Sequence, residues 1–395
     1  MDLDRLRRWP DVEAPNLVAM DAADRLLLDT TGVEPTCSAP GSVVVLGDAY
    51  GALTLGALGA GARDIRVHQD PLLGELALAA NAARLGVGSG FRSPGLVPEL
   101  VTDASLVVMR LPKSLDELDE WAGLIAAHAA PDVVVLAGGM VKHMTRAQNE
   151  VLGRHFGEVT ASLARQKARV LMATGVRQGR DSERHAGSGL AAGGTGDGIP
   201  SAPPAAWPRR VRLDPPGLTV FAHGGVFAGA GLDIGTRFLL DHLADANPAA
   251  RTAIDLGCGT GILAAALAST RPGLRVIATD QSAAAVASAR ATMAGNGLAD
   301  RVEVRRDDML SAERDGTAEL ILLNPPFHSG TTVTADVGLR LIADAARVLA
   351  PGGELRVVFN SHLRYQPTLR RLVGATRQLA RNSKFTITSS VKSAR

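Results

Sequence analysis

The stretch 252–264, Thr-Ala-Ile-Asp-Leu-Gly-Cys-Gly-Thr-Gly-Ile-Leu-Ala, decides the fold. An aliphatic run ends at Leu256, glycines alternate at Gly257, Gly259 and Gly261, and an Ala/Leu-rich run follows. That order reads as a buried strand, a tight turn and a helix. Glycine is required where the chain turns sharply and where a ligand approaches the backbone. Asp280 ends the next aliphatic run, 19 residues beyond Gly261. A carboxylate there can accept hydrogen bonds from both hydroxyls of a ribose. The nicotinamide fingerprint, G-x-G-x-x-G, is the obvious rival. Here, however, the third glycine comes one residue earlier and Asp255 precedes the first. An acid at that spot repels a pyrophosphate and suits a cationic group, such as an amino-acid ammonium or a sulfonium.

Working outward, short aliphatic runs alternate with helical stretches, the pattern of an α/β fold with a mostly parallel sheet. In this half, strands are expected at 252–256, 275–279, 302–305, 320–323 and 354–359. A final piece, 385–391, alternates like an edge strand, and helices are expected at 283–295 and 339–349. The run 320–323 stops at Asn324-Pro325-Pro326-Phe327. Two prolines cannot continue a ladder, because each lacks an N–H and fixes φ. The segment is therefore a rigid exit from the carboxyl end of a central strand, where open α/β sheets bind ligands. The Asn324 amide oxygen and the Pro325 carbonyl form an acceptor pair suited to a planar NH₂ group, and Phe327 offers a face for a flat base. Asp308, in the acidic pair that follows the 302–305 run, is the candidate acceptor for an adenine amino group.

The rest of the chain sets limits. Its 395 residues suffice for two domains, and 46% hydrophobic residues suffice for two cores. No apolar run reaches the roughly 20 residues of a membrane helix. The charged start lacks the apolar centre of a signal peptide, which predicts a cytoplasmic protein. A net charge of +2 and 3% aromatics exclude a polybasic coat and a broad stacking platform for nucleic acid. Cys37 and Cys258 are too few for a zinc cluster or disulfide framework, and the scattered histidines suggest no metal site. The Gly/Ala/Ser/Pro stretch 185–208 reads as a flexible linker between domains 1–184 and 209–395.

The two halves resemble each other. Gly47 and Gly51 precede Gly257 and Gly261 by 210 residues, and Asp70 precedes Asp280 by the same interval. This spacing predicts a duplicated domain. In the first half Val45 replaces Asp255, Ala49 replaces Gly259, and the run Leu111-Pro112-Lys113-Ser114 takes the place of Asn-Pro-Pro-Phe. The chemistry is thus expected in the second half alone.

Taken in order, Asp255 to Gly261, Asp280, Asp308 and Asn324 to Phe327 resemble class I S-adenosylmethionine-dependent methyltransferases of amino groups. The chain is most similar to bacterial ribosomal RNA guanine-N2 methyltransferases, closer to the large-subunit type. That family joins two Rossmann-like methyltransferase domains in tandem, the first degenerate. The similarity also covers 231–243, 351–365 and the chain's end. It implies S-adenosylmethionine as cofactor, held by Asp255, Gly257, Gly259, Gly261, Asp280, Asp308 and Asn324. It further implies Asp233, Gly235 and Thr236 beside the cofactor's methionine end. Catalysis falls to Asn324, Pro325 and Phe327, without a metal. The implied partner is ribosomal RNA, naked or in a partly assembled subunit, met by a monomer whose two domains pair within one chain. Two alternatives stay open: transfer to another planar amine (a protein glutamine or adenine N6), and a ribosome-assembly or RNA-binding role.

Overall fold

The computed structural model describes residues 1–31, 39–177, 206–326 and 332–393, the last from 332 to 336 by backbone alone. The chain forms two compact units, Met1–Trp207 and Pro208–Arg395. Most of the 185–208 stretch, and Phe327, lie outside the described residues.

In the first unit the strands are β1 (Val43–Leu46), β2 (Ile65–His68), β3 (Phe91–Arg92), β4 (Leu106–Arg110), β5 (Val134–Met140), β6 (Phe156–Ala161) and β7 (Ala168–Val176). The second unit opens with a hairpin, β8 (Arg209–Leu213) and β9 (Leu218–Ala222). Its main sheet comprises β10 (Thr252–Leu256), β11 (Arg275–Asp280), β12 (Val302–Arg306), β13 (Ala318–Leu323), β14 (Leu349–Asn360), β15 (Gly374–Arg381) and β16 (Phe385–Lys392). The sheet orders are β3-β2-β1-β4-β5-β7-β6 and β12-β11-β10-β13-β14-β16-β15. Counted within each unit, the two orders are identical, as a duplication requires. Each sheet is parallel except for its last two strands in sequence, which pair antiparallel.

Both faces of these sheets are covered. Along β13, Leu320 and Leu322 join one core, while Ile321 and Leu323 join the other across the sheet. Complete burial on both faces is why the strand reads as an unbroken aliphatic run and not as an alternation. Each such side chain contributes about 1.5–3 kcal/mol.

Three sequence expectations need correction here. Residues 385–391 are not the sheet edge, because β16 lies between β14 and β15 with its first six residues buried. The edge is β15, whose Arg377 and Arg381 keep their side chains at the surface while the backbone pairs with β16. The helix expected at 339–349 spans Thr332–Val348. β14 starts at Leu349, ahead of the expected 354, because Leu349 pairs with Ala318 before the register shifts.

The β8/β9 hairpin docks on a helix, Ala283–Gly295, through a polar ladder. The Phe221 amide donates to Thr292 Oγ1 at 3.1 Å and the His223 amide to Ser288 Oγ at 2.9 Å. Asn296, just past the helix end, accepts from the Thr219 amide at 3.0 Å and donates to the Thr219 carbonyl at 2.6 Å. Ser288, Thr292 and Asn296 stand four residues apart, so they share one helix face and act as a substitute strand edge.

Candidate active site

Sheet register gathers the expected residues at one place. Leu256 pairs with Thr279 on one side and with Leu323 on the other. Gly257, Asp280 and Asn324 therefore leave the same carboxyl edge, where the strand order reverses between β10 and β13. Such a switch point is where open α/β sheets open a crevice for ligands.

The glycine loop is held to β11. The amides of Gly257 and Cys258 donate to the Thr279 carbonyl at 2.8 and 2.9 Å. The Gly259 amide donates to Asp280 Oδ2 at 3.0 Å, and the Ser282 amide to Oδ1 at 2.9 Å. These bonds aim the Asp280 carboxylate at the loop. Gly257, Gly259 and Gly261 have φ of +73°, +53° and +79°, which L side chains rarely adopt. A Cβ on Gly257 or Gly259 would meet nothing within 4 Å, so both face open space. On Gly261 it would stand 2.7 Å from Met293 Cε, so that glycine serves helix packing.

Asp255 sits beneath the loop, 1% exposed, and its Oδ2 accepts from the Ala264 amide at 3.0 Å. Burial raises its carboxyl to about 7; the Ala264 bond opposes the shift and nearby Asp280 adds to it. Asp307 and Asp308 separate in role. The Asp307 carboxylate is buried and accepts from the Ser311 hydroxyl and, at 3.0 Å, the Ala312 amide, so it is spent on its own turn. Asp308 is half-buried beside it, and the Asp307 amide donates to the Asp280 carbonyl at 3.0 Å.

Asn324 is the sharpest feature. Its Nδ2 donates to Asp233 Oδ2 at 3.1 Å and to Thr236 Oγ1 at 2.9 Å. Asp233 caps the helix Ile234–Leu240 by accepting from the Thr236 amide at 3.1 Å. Two acceptors at one end of the amide settle which end is nitrogen. The other end, Asn324 Oδ1, is buried and has no hydrogen-bond partner among the described residues. Gly235 permits this approach, because a Cβ there would stand 3.1 Å from Asn324 Oδ1. Pro325 is buried and Pro326 exposed.

The first unit carries the same architecture with different chemistry. Leu46 pairs with His68, where Leu256 pairs with Thr279. The counterpart of Asp280 is therefore Gln69, not Asp70; equal sequence spacing hid a one-residue slip. Leu46 also pairs with Met109, so Arg110 stands where Asn324 does, one residue before the expected Leu111. Gln69 is buried and its Nε2 donates to the Asp48 carbonyl. The Asp48 carboxylate turns into its own helix start and accepts from the amides of Gly51, Leu53 and Thr54 at 3.1, 3.2 and 2.8 Å. Arg110 forms an ion triad, its Nη1 lying 2.5 Å from Asp21 Oδ1 and 2.8 Å from Asp24 Oδ1. Asp21 accepts from the Asp24 amide at 3.2 Å, matching the bond from the Thr236 amide to Asp233. None of these internal pairings was legible in sequence, since each depends on register. The closest signal was the match of Asp21-Ala22-Ala23-Asp24-Arg25 to Asp233-Ile234-Gly235-Thr236-Arg237.

Among the described residues no cluster of three or more His, Cys, Asp or Glu is placed to hold a metal ion, and no helix is long and apolar enough to cross a membrane. Known proteins agree with this geometry. The methyltransferase small domain family matches residues 217–389, and the RLMG N-terminal domain family matches residues 2–177. A ribosomal RNA large subunit methyltransferase G of Pseudomonas paraeruginosa is 37% identical, covering 97% of this chain and 96% of its own. One of the same name from Streptomyces coelicolor is 35% identical, with 98% and 97% covered. A solved T. thermophilus 16S rRNA N2 methyltransferase, in complex with AdoMet and guanosine, shares the fold at TM-score 0.70 and 20% identity, over 94% of this chain and 92% of its own. With full-length relatives above a third identity, the chain belongs to the ribosomal RNA large subunit methyltransferase G family.

Proposed function

We propose that this chain transfers a methyl group from S-adenosylmethionine to the exocyclic N2 amine of a guanine in ribosomal RNA. The reaction belongs to the second unit. One observation carries the reading: Asn324 Oδ1, at the sheet's switch point, is a buried acceptor without a donor among the described residues. An unpaired buried acceptor costs about 1–3 kcal/mol, which an incoming N–H recovers. The relatives' names point to ribosomal RNA, and the T. thermophilus structure holds guanosine and AdoMet together in the same fold.

The residues present fit the cofactor. Gly257 and Gly259 leave open backbone, Asp280 faces the loop and is assigned to the ribose, and the half-buried Asp308 is assigned to the adenine amine. Asp255 lies below, where its carboxyl accepts from the Ala264 amide and ties the end of the strand to the start of the helix that follows the glycine loop. Asp233, Gly235 and Thr236, which the resemblance assigned to the methionine end, are seen against Asn324: Asp233 and Thr236 bond its amide nitrogen and Gly235 makes room for its oxygen. Bound there, the cofactor supplies a methyl group already activated by its sulfonium. The chain's task is then positioning. Asn324 Oδ1 and the Pro325 carbonyl accept the two amine hydrogens, which favours a pyramidal nitrogen and directs its lone pair at the methyl carbon. The new N–CH₃ bond forms as the S–CH₃ bond breaks, and the alkylated nitrogen loses a proton to solvent. Phe327, outside the described residues, is the ring assigned to stack on the base. A guanine within a helix must flip out to reach it, at a cost of a few kcal/mol. Naked or partly assembled rRNA therefore fits better than a finished subunit, met by a monomer in the cytoplasm.

The first unit is read as closed to the cofactor, supported by the Asp48 carboxylate folded into its own loop and by the Arg110 triad. Incubation with methyl-labelled cofactor, rRNA and ribosomal proteins tests the reading. Label in RNA supports it; label in protein glutamine contradicts it.

A further inference from the structure

The three residues around Asn324 have a counterpart in the first unit that acts as a built-in control. There, Arg110, Asp21 and Asp24 occupy the positions of Asn324, Asp233 and Thr236. Both units thus tie the end of the fourth strand to a helix start through three polar side chains. In the first unit the tie occupies both ends of the guanidinium: both Nη nitrogens of Arg110 bond to Asp21, at 2.5 and 2.9 Å, and Nη1 also reaches Asp24. In the second unit the tie consumes only one end of Asn324. A hydroxyl at Thr236 in place of a second carboxylate, and an amide in place of a guanidinium, leave one oxygen over.

We propose that Asp233 and Thr236 are positioning residues for the transfer reaction, fixing Asn324 so that it meets the substrate with an acceptor and never with a donor. This rests on the function proposed above and adds the determinant of its selectivity for an amine. An amide is nearly symmetric in shape, so an unrestrained Asn324 turns over and presents N–H groups. An amine facing N–H keeps only the Pro325 carbonyl as acceptor, and its lone pair is drawn toward the amide, away from the methyl carbon. Asp233 Oδ2 and Thr236 Oγ1 prevent this by accepting both amide hydrogens. Thr236 adds directionality, because its backbone amide is already tied to the carboxylate of Asp233, which locks the pair together. The role differs from lining the methionine end of the cofactor, which would require Thr236 to contribute to cofactor affinity.

The test uses the full chain with Thr236→Val, which keeps the shape and removes the acceptor, and Thr236→Ser, which restores it. Turnover at saturating cofactor and rRNA should fall roughly 10- to 100-fold in the valine variant, the scale of a misplaced reacting group, and recover in the serine variant. Cofactor Kd by calorimetry should change less than about twofold in both. A tenfold loss of cofactor affinity with unchanged turnover would overturn the proposal in favour of a cofactor contact. A second readout does not depend on activity. In protein labelled with ¹⁵N-asparagine, the Asn324 side-chain signals, assigned by their loss in Asn324→Ala, should shift and exchange faster in Thr236→Val. Unchanged Asn324 signals would overturn the clamp even if activity fell. Failure of the wild-type protein to methylate guanine N2 would sink the function proposed above, and the amide signals would still decide the clamp.

Discussion

Asn324 concentrates the argument at the scale of single residues. Replacing it with Ala removes the Asn324 Oδ1 acceptor and leaves the glycine loop and Asp280 untouched. Transfer should fall by at least about 100-fold, with cofactor affinity nearly intact, read by single-turnover labelling and calorimetry. Loss of cofactor binding together with transfer would show that Asn324 is structural. Asp255 makes a second prediction, through pH. Its folded pKa, about 7, lies above the ordinary carboxylate value of 3.8, so the folded state holds this proton longer than the unfolded chain does. Ionisation therefore costs stability as pH rises from about 4 to about 7. Asp255→Asn keeps the acceptor for Ala264 and has no proton to lose. The stability gained by the variant over wild type should grow across that window and level off above it, measured by denaturant titration. A difference independent of pH would mean Asp255 is not held protonated. The identity of these residues was legible in sequence, because glycine spacing and strand ends are local. Their bonding was not: the burial of Asp255 under its loop and the two bonds on Asn324 Nδ2 depend on segments 91 and 88 residues away or on a fold closed around them.

Among the elements, the docking of β9 on the helix Ala283–Gly295 deserves a direct test, because this hairpin leads the chain into the site at Asp233. Asn296→Ala removes both bonds to Thr219 and leaves a backbone donor and acceptor unpaired. The expected loss is about 2–4 kcal/mol, seen as a lower Tm of the second unit. Loss below about 0.5 kcal/mol would show that the Asn296 bonds do not hold the hairpin. Strands β10 and β13 were readable because double burial writes continuous aliphatic runs. β15 was not, since Arg377 and Arg381 look like surface positions on a helix until β16 supplies a partner. The same lack of tertiary information made 385–391 look like an edge. In the first unit, equal spacing pointed to Asp70 and the likeness of the runs after the strands pointed to Leu111, whereas strand pairing selects Gln69 and Arg110.

For the whole molecule, the duplication explains both the length of the chain and its asymmetry. One sheet order is built twice, and at the strand ends of the first Asp48 and Arg110 are bonded internally. Calorimetric titration of the intact chain should accordingly yield one cofactor site per chain; two sites of similar affinity would refute the closed reading of the first unit. The central claim is about what receives the methyl group. It is tested most directly by treating unmodified rRNA with the protein and methyl-labelled S-adenosylmethionine, digesting the RNA and separating its nucleosides. The account predicts label in N2-methylguanosine with wild type and none with Asn324→Ala. Label in N6-methyladenosine, or label at the wild-type level when Asn324 is absent, would contradict it.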